Sequence, residues 1–459
     1  MSRDRLDIAR NEATPVAVES TYPIARHASN SDIVAMRAQQ PIDRAQFLHD
    51  IVSLAARLPA HKYVLNLCTD RYRFMVGFAA ALCRQQVSLL PPSDAPGVLK
   101  ILAADYPDLY ALTDTRRPPF PSVVYPDRFE DDGATPDMPV RPGGQPALVL
   151  FTSGSTGRPK AVPKSWGTLV RSARAAGDRL GLSQFHHATV IGTVPHQHSY
   201  GLESTILLGL QHGLIVDAAR PLYPGDIYDG IDAAARPRIL VTTPVHLRAL
   251  VAEPGGMPPV DLVLSATAPL SIDLAAQTET CFQAPLVEIY GCTEAGQIAT
   301  RRPVLEPQWR CLDGVSLNHD ARGAWAGGAS VQGTVLLHDV IEPSGPTTFL
   351  LGGRSNDLVD VAGKRTSLAH LNHVLLGIDG VKDGAFFMQE PHGQNIARLM
   401  AVAVAPGLRS EEILRLLRER VDAAFLPRPL VLVDELPRNA LGKLPRETLL
   451  QLVTRRRGA

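Results

Sequence analysis

Short apolar stretches alternate with helical patterns along most of this chain, and the alternation limits the folds open to it. Apolar residues spaced three to four apart from Pro41 through Leu58 predict one helix, and residues 73–83 predict another. Buried strands are predicted at the apolar runs 63–68, 87–90, 147–151, 189–194, 213–216, 239–243, 262–265 and 286–290. Strands that alternate with helices form parallel sheets with covering helices, so we predict an α/β fold.

The two ends of the chain follow other patterns. About forty N-terminal residues predict loops and short elements, and residues 116–146 form a connection rich in Pro, Gly and Asp. From Thr334 the pattern changes to short strands and turns, with helices predicted at 410–424 and 446–453. A length of 459 residues exceeds what one core usually organises. We therefore predict a large N-terminal domain of parallel-rich sheets, residues 1–353, and a small, mobile α+β domain, residues 354–459.

The strongest chemical signal is the string Leu-Phe-Thr-Ser-Gly-Ser-Thr-Gly-Arg-Pro-Lys-Ala-Val at residues 150–162. A buried strand runs directly into a loop in which glycines let backbone N–H groups converge and hydroxyls add donors. The loop residues are Ser153, Gly154, Ser155, Thr156 and Gly157, and Lys160 adds a cation. These groups suit polyphosphate oxygens. The spacing is not that of a Walker loop, because the Lys is followed by Ala instead of Ser or Thr.

This string closely resembles the phosphate loop of the adenylate-forming superfamily, which contains acyl- and aryl-CoA ligases, luciferases and peptide-synthetase adenylation domains. Further motifs follow in the superfamily's order, so the resemblance covers about residue 60 to the C-terminus. It implies ATP and Mg²⁺ as cofactors. It also implies that Thr152 and the loop residues bind the nucleotide and that Lys160 takes part in catalysis.

Residues 289–296, Ile-Tyr-Gly-Cys-Thr-Glu-Ala-Gly, resemble the superfamily's YGxTE segment. The resemblance implies that Tyr290 and Gly291 face the adenine and that Thr293 meets the α-phosphate. It makes Glu294 the Mg²⁺ ligand, which fits the preference of a hard cation for carboxylate oxygens.

Two further segments resemble nucleotide contacts of the superfamily. Residues 265–270, Ser-Ala-Thr-Ala-Pro-Leu, are similar to a turn beneath the adenine, whose contact positions are Thr267, Ala268 and Pro269. Asp339 precedes Arg354 by fifteen residues, a spacing similar to that of the Asp that chelates the ribose hydroxyls and the Arg that follows it. This chain has Leu-His-Asp where Thr-Gly-Asp is usual.

Residues 195–202, Pro-His-Gln-His-Ser-Tyr-Gly-Leu, resemble the aromatic segment that walls the acid pocket. We assign His198, Tyr200 and Cys292 to that pocket on this basis. The histidines near this segment could also indicate a metal site. That alternative lacks support, because no two histidines are spaced four residues apart on a helix.

Residues 352–365 resemble the GRxxDxIxxxGxR segment that leads into the superfamily's small C-terminal domain. Asn356 takes the hinge position, usually Asp or Lys, and Gly363 lies on the loop that lines the thiol tunnel. Two departures stand out: Asp360 occupies a position where some CoA ligases carry lysine, and His370 replaces a frequent glutamate.

Residues 436–446, Leu-Pro-Arg-Asn-Ala-Leu-Gly-Lys-Leu-Pro-Arg, resemble the LPRTxxGKxxR motif. This likeness gives Lys443 the role of bridging the attacking carboxylate and the α-phosphate. An ammonium suits the charge that develops on those oxygens in the transition state. The resemblance therefore implies that the N-terminal domain, residues 1–353, binds ATP and the acid. It also implies that the C-terminal domain, residues 354–459, is a lid that carries the catalytic lysine.

The implied reaction is ATP-dependent activation of a carboxylic acid to an acyl-adenylate, followed by transfer to a thiol. An amine-bearing substrate is disfavoured, because residues 196–200 contain no carboxylate. The short central region and the Leu-Leu-Pro-Pro-Ser stretch at 89–93 are similar to ligases of aryl-polyene and xanthomonadin pigment clusters. That likeness implies a hydroxybenzoate-type acid and the phosphopantetheine thiol of an acyl carrier protein, with free CoA as the alternative acceptor.

Composition excludes several other classes. Lys+Arg and Asp+Glu both number 46, so the chain lacks the basic balance of a nucleic-acid-binding protein. Five cysteines without a CxxC pair argue against a disulfide framework. The N-terminus carries acidic residues and lacks an apolar signal core, and no apolar run is long enough to span a bilayer, so we predict a cytoplasmic protein without membrane insertion.

Two alternatives from other classes remain open at this point. A non-catalytic ATP-binding homologue would account for the departures at Asn356, Asp360 and His370, although Lys160, Glu294 and Lys443 are all retained. An ATP-independent acyl transferase would give the phosphate loop no purpose.

Overall fold

A computed structural model describes residues 20–91, 95–115, 118, 120–130, 133, 136–152, 160–354, 358–361, 364–389, 398–438, 444 and 446–457. Its α-helices are α1 Arg44–Arg57, α2 Arg71–Cys83, α3 Pro96–Asp105, α4 Trp166–Arg179, α5 Ser199–Gly201, α6 Leu208–His212, α7 Pro224–Ala233, α8 Pro244–Val251, α9 Ile272–Phe282, α10 Leu368–Leu376, α11 Ser410–Arg418 and α12 Arg446–Arg457. A π-helical turn, Leu202–Leu207, joins α5 to α6.

The strands belong to two large sheets and four small ones. They are β1 Thr21–Pro23, β2 Ile33–Arg37, β3 Gln40–Asp43, β4 Tyr63–Asn66, β5 Val87–Leu90, β6 Leu109–Thr113, β7 Ser122–Val124, β8 Val140–Pro142, β9 Pro146–Thr152, β10 Lys160–Ser165, β11 Thr189–Gly192, β12 Ile215–Asp217, β13 Arg238–Thr242, β14 Leu262–Ser265, β15 Leu286–Cys292, β16 Gly296–Arg301, β17 Trp309–Cys311, β18 Ser316–Asp320, β19 Gly323–Gly327, β20 Val335–Leu336, β21 Asp339–Pro343, β22 Thr348–Arg354, β23 Leu358–Val361, β24 Lys364–Ser367, β25 Asp383–Gln389, β26 Arg398–Val404 and β27 Leu430–Leu432.

The larger sheet has eleven described strands in the order β21-β22-β17-β16-β15-β14-β13-β11-β12-β2-β3. Neighbours from β15 to β2 are parallel, and the pairs toward both edges are antiparallel. Parallel strands are covered on both faces, which explains why their residues are almost all buried. The carboxyl ends of β11, β13, β14 and β15 therefore meet along one edge.

A second sheet packs beside the first. Its order is β10-β9-β5-β4-β6-β7, and β10 is its antiparallel edge. The largest apolar cluster contains side chains of both sheets, such as Val64 and Leu150 of the smaller and Val34 and Val216 of the larger. Apolar side chains of the two sheets thus share a core between them.

Side chains with short polar groups mark the starts of the helices that cover these sheets. Asp43, Asp70 and Ser165 each accept a hydrogen bond from the backbone N–H three residues later, at the first turns of α1, α2 and α4. Such caps satisfy N–H groups that have no partner within the helix.

The C-terminal part has a core of its own. Its cluster draws on α10, β25, β26 and α11, and all its buried members lie between Leu371 and Leu430. The strands β25, β26 and β27 form a separate three-stranded sheet. A division of the chain at residues 353 and 354 stays a prediction.

The predicted α/β fold is confirmed, and so are the predicted strands of both sheets. Three local predictions were wrong. The helix predicted from Pro41 begins at Arg44, because residues 40–43 pair with β2. The connection at 116–146 contains β7 and β8, and the helix predicted at 410–424 ends at Arg418. No described helix is long and apolar enough to cross a membrane.

Candidate active site

The predicted nucleotide and acid residues gather at the carboxyl edge of the larger sheet. Thr267 follows β14, while Tyr290 and Cys292 end β15, the neighbouring strand. Ligands of open α/β sheets bind at the carboxyl ends of the strands. The edge formed by β11, β13, β14 and β15 is therefore the candidate active site.

Tyr290 and Asp339, predicted to contact adenine and ribose, touch each other. The Tyr290 hydroxyl donates a hydrogen bond to Asp339 Oδ2 at 2.7 Å. The Tyr290 ring lies 5.6 Å from the Trp309 ring and 5.8 Å from the Phe349 ring, measured between centroids. The Tyr290 ring is therefore held in a buried aromatic cluster while its hydroxyl reaches the Asp339 carboxylate.

Asp339 and Arg354 are cross-strand partners in the antiparallel pair of β21 and β22. The spacing of fifteen in the sequence therefore corresponds to the two arms and the turn of this hairpin. The side chain of Arg354 is outside the described residues, so its direction stays a prediction.

The two ends of the predicted phosphate loop are adjacent. Thr152 ends β9, Lys160 begins β10, and the two residues are register partners. Residues 153–159, and with them Ser153, Gly154, Ser155, Thr156 and Gly157, lie outside the described part of the chain.

Thr293 and Glu294 lie on the tight turn between β15 and β16, and both are half-buried. A Cβ on Gly291 would lie 2.2 Å from the carbonyl oxygen of Gly296. Only glycine allows this close approach of the two strands. This close approach constrains the backbone of the turn that carries Glu294.

Thr267 has a φ of 80°, a left-handed conformation that is costly for a β-branched residue. Thr267 and Ala268 are half-buried and Pro269 is exposed on the loop after β14. Backbone strain of this kind clusters at functional sites. Thr267 thus follows β14, the parallel neighbour of β15, in a strained conformation.

The predicted acid-pocket segment runs over the carboxyl ends of β11 and β13. His198 precedes α5 and is half-buried, and the Tyr200 hydroxyl donates to the carbonyl oxygen of Thr242 at 3.1 Å. A Cβ on Gly201 would lie 2.0 Å from the carbonyl oxygen of Pro195, so glycine is required at this bend.

Three polar residues beside Tyr200 were not predicted from the sequence. Thr193 and Thr242 share a hydrogen bond of 2.9 Å between their hydroxyls, and His246 Nδ1 lies 3.1 Å from the Thr193 hydroxyl. Both threonines are buried. Each directly follows or ends an apolar strand, which is the signal that could have identified them.

Two buried charged residues, Lys164 on β10 and Glu203 on the π-helical turn, were also not predicted from the sequence. Lys164 Nζ donates to the backbone carbonyl of Glu294 at 2.6 Å. The alternation of β10 places Lys164 on the same face as Lys160 and the buried Val162, which is the only hint that the sequence carries.

His196 is a buried structural residue. Its side chain is 0% exposed, its ring lies 4.6 Å from that of Phe74, and its Nε2 is 3.0 Å from the carbonyl oxygen of Cys68. Burial lowers the pKa of His196 to about 3. Among the described residues, no three His, Cys, Asp or Glu side chains form a group that could hold a metal ion.

His196→Phe is expected to reduce the loss of stability in mild acid. The pKa of His196 is lower in the folded state than the usual 6.5, so protonation of the unfolded state costs the wild type stability as the pH falls below 6.5. From pH 7.5 to 5.0 the variant should gain about 2 kcal/mol in unfolding free energy relative to wild type. Urea titrations at the two pH values measure the gain.

This substitution should be tolerated, because Gln197 Nε2 also donates to the carbonyl oxygen of Cys68 at 3.0 Å. His186→Phe is the matched control, since the His186 side chain is exposed. Parallel pH dependence of His196→Phe and wild type would contradict the assignment of His196 as a neutral buried group.

Several predicted residues lie outside the described part of the chain: Asn356, Gly363 and Lys443. Asp360 and His370 belong to β23 and α10, but their side chains are not described. Their predicted roles as hinge, thiol tunnel, catalytic lysine and departures from the superfamily stay predictions.

Comparison with known proteins gives a consistent result. The profile of a family described as AMP-binding enzyme matches residues 48–319. A 4-coumarate–CoA ligase from Rhodobacter capsulatus is 31% identical over 51% of this chain, and the chain spans 58% of that relative's length. An indoleacetate–CoA ligase from Aromatoleum aromaticum is 25% identical over 74% of each chain. A 4-chlorobenzoate–CoA ligase from Arthrobacter is 24% identical over 70% of this chain and 68% of its own.

Solved structures with this fold cover almost the whole chain. The o-succinylbenzoate CoA synthetase of Bacillus subtilis, solved with an acyl-adenylate intermediate, has a TM-score of 0.79 at 18% identity and covers 94% of this chain and 98% of its own. ATP-bound MatB from Rhodopseudomonas palustris has a TM-score of 0.79 at 18% identity, covering 93% and 96%. At this identity the likeness establishes the fold alone.

Proposed function

The chain belongs to the AMP-binding enzyme family, and we propose that it uses ATP to activate an aromatic carboxylic acid and then transfers the acyl group to a pantetheine thiol. The observation that carries the proposal is the hydrogen bond between Tyr290 and Asp339. It joins the residues proposed for adenine and ribose at the carboxyl edge of a parallel sheet.

The first half-reaction exchanges a poor leaving group for a good one. A carboxylate oxygen attacks the α-phosphorus of ATP, and the bond to pyrophosphate breaks. In this chain Lys160 and the 153–157 loop would hold the departing phosphates, and Thr293 would contact the α-phosphate. The residues contribute positioning and neutralisation of charge, which is the main requirement of phosphoryl-type transfer.

Glu294 fits a Mg²⁺ ion. Mg²⁺ binds through one or two carboxylates together with substrate phosphates, so it does not need a cage made by the protein. Glu294 offers one half-buried carboxylate on a fixed turn, and no described cluster of three His, Cys, Asp or Glu competes with it. When bound there, the ion would neutralise charge on the phosphate oxygens.

The names of the relatives support an aromatic acid, and the contacts of Glu203 argue against an acid that carries an amine. The relatives compared above are named for 4-coumarate, indoleacetate and 4-chlorobenzoate, which are all aromatic acids. A carboxylate does follow the aromatic segment, at Glu203, but it accepts hydrogen bonds from Ser199 and from the backbone N–H of Gln297. The Glu203 carboxylate is therefore already occupied by hydrogen bonds within the protein. An amine substrate lacks a carboxylate partner in this segment.

In the second half-reaction the thiol sulfur attacks the acyl carbonyl and AMP leaves. We propose that the C-terminal segment, residues 354–459, turns about Asn356 to withdraw Lys443 and to bring Gly363 to the thiol. The likeness to pigment-cluster ligases supports an acyl carrier protein and a hydroxybenzoate in pigment biosynthesis. The names of the relatives support free CoA as the second candidate acceptor.

The test is ATP–pyrophosphate exchange across substituted benzoates, cinnamates, fatty acids and amino acids. We expect exchange that depends on an aromatic acid. Intact-mass measurement with CoA and with a phosphopantetheinylated carrier protein then identifies the acceptor. ATP binding without exchange on any acid would favour the non-catalytic homologue instead.

A further inference from the structure

Two buried side chains of opposite charge, Lys164 and Glu203, line a small cavity beside the turn that carries Glu294. Lys164 and Glu203 are each 3% exposed. Together with Thr168, Ser172, Gly296 and other residues they line a cavity of about 10 Å³. A cavity of this size holds no more than a water molecule, so the pair does not form a ligand pocket.

The two charges hold the two ends of that turn. Lys164 Nζ donates to the carbonyl oxygen of Glu294 at 2.6 Å, and Glu203 Oε2 accepts from the N–H of Gln297 at 3.2 Å. Each charge thus faces the backbone group of opposite polarity. Hydrogen bonds to charged groups are stronger than neutral ones, so the pair fixes residues 294–297 from below.

Glu203 extends this network to the proposed acid pocket. Its Oε1 accepts from the hydroxyl of Ser199, which begins α5 one residue after His198. The turn with Glu294, the strand after the phosphate loop and the aromatic segment are therefore joined through two side chains.

Stability alone does not account for this arrangement. Burial lowers the pKa of Lys164 and raises the pKa of Glu203, because each charge loses water, and the opposite charge of the other residue acts against both shifts. Well-packed apolar residues of the same size often stabilise a fold as well as a buried pair does. A pair that fixes two backbone groups of a catalytic turn has a use that apolar residues could not replace.

We infer that Lys164 and Glu203 are positioning residues, which hold the Glu294 carboxylate where Mg²⁺ and the phosphates of ATP require it. This inference rests on the proposed function. It assigns no substrate contact to either residue, and both act through the backbone of residues 294–297.

The test compares Lys164→Met, Glu203→Gln and the double variant with wild type. The double variant leaves no unpaired buried charge, so it remains informative where Lys164→Met fails to fold. We expect Lys164→Met and the double variant to raise the Mg²⁺ concentration for half-maximal pyrophosphate exchange tenfold or more. The KM for the acid should stay within twofold.

Ser172→Ala is the matched control. Ser172 lines the same cavity, and its buried hydroxyl has no hydrogen-bond partner in the described structure, so all constants should stay within twofold. A folded double variant with wild-type Mg²⁺ dependence would overturn the inference.

A second readout separates this inference from the proposed function. The Tm shift that ATP produces at increasing Mg²⁺ reports the Glu294 site without turnover. Should wild type show this shift but no exchange, the proposed reaction fails. The inference then stands if Lys164→Met loses the Mg²⁺-dependent part of the ATP-induced Tm shift while Ser172→Ala keeps it. The inference is overturned if both variants keep the Mg²⁺-dependent part of the shift.

Discussion

Lys443→Ala is expected to lower acid-dependent pyrophosphate exchange by about 100- to 1000-fold, because the variant lacks the cation proposed to bridge the carboxylate and the α-phosphate. Charge builds on those oxygens only as the phosphorus is attacked, so the loss should fall on kcat more than on the KM for ATP. Transfer from a preformed acyl-adenylate to the thiol should stay within a few-fold of wild type. Exchange assays and single-turnover thioester formation measure the two half-reactions.

Lys382→Ala is the matched control for that experiment. Lys382 is exposed and also lies in the C-terminal part, so its removal changes the net charge equally without touching the proposed motif. Both half-reactions should be unaffected in this variant. Equal loss of both half-reactions in Lys443→Ala would speak against a lysine that serves adenylation alone.

Local sequence patterns predicted the strands well, because buried parallel strands are continuous apolar runs. The boundaries of helices and strands that depend on contacts with distant parts of the chain were harder to predict. Gln40–Asp43 carries an apolar spacing that continues into α1, yet it pairs with β2. The end of α11 was also missed, because Asp422 starts a separate turn by accepting from the N–H of Ala424.

The residues of the candidate site were predicted from motifs instead of from apolar patterns. Tyr290 and Asp339 lie 49 residues apart in the sequence. The resemblance to the superfamily's motifs identified both residues, but only the folded structure shows that they are in contact. Lys164 carried no motif, and a lysine on an edge strand is usually solvated. Its burial depends on Glu203 and on the turn after β15, which the local sequence does not encode.

Asp339→Ala is expected to reduce kcat/KM for ATP by about 100-fold or more. The proposed role of this carboxylate is to accept hydrogen bonds from both ribose hydroxyls, and each bond to a charged group contributes about 1.5–3 kcal/mol. Two such bonds correspond to roughly 100-fold at the lower limit. Steady-state exchange rates at varied ATP, with saturating acid, measure the change.

Tyr290→Phe distinguishes the contribution of the Asp339 carboxylate from that of the hydroxyl that hydrogen-bonds to it. It keeps the ring between Trp309 and Phe349 and removes only the hydroxyl that donates to Asp339. The Tyr290 hydroxyl acts on ATP only by orienting Asp339, so its loss should cost less than a direct bond, about 1 kcal/mol, and kcat/KM for ATP should fall only about fivefold. Glu342→Ala, an exposed acid on the same strand β21, should have no effect. Unchanged kinetics in Asp339→Ala would instead leave the ribose without its proposed partner, and the placement of the nucleotide at this edge would have to be abandoned.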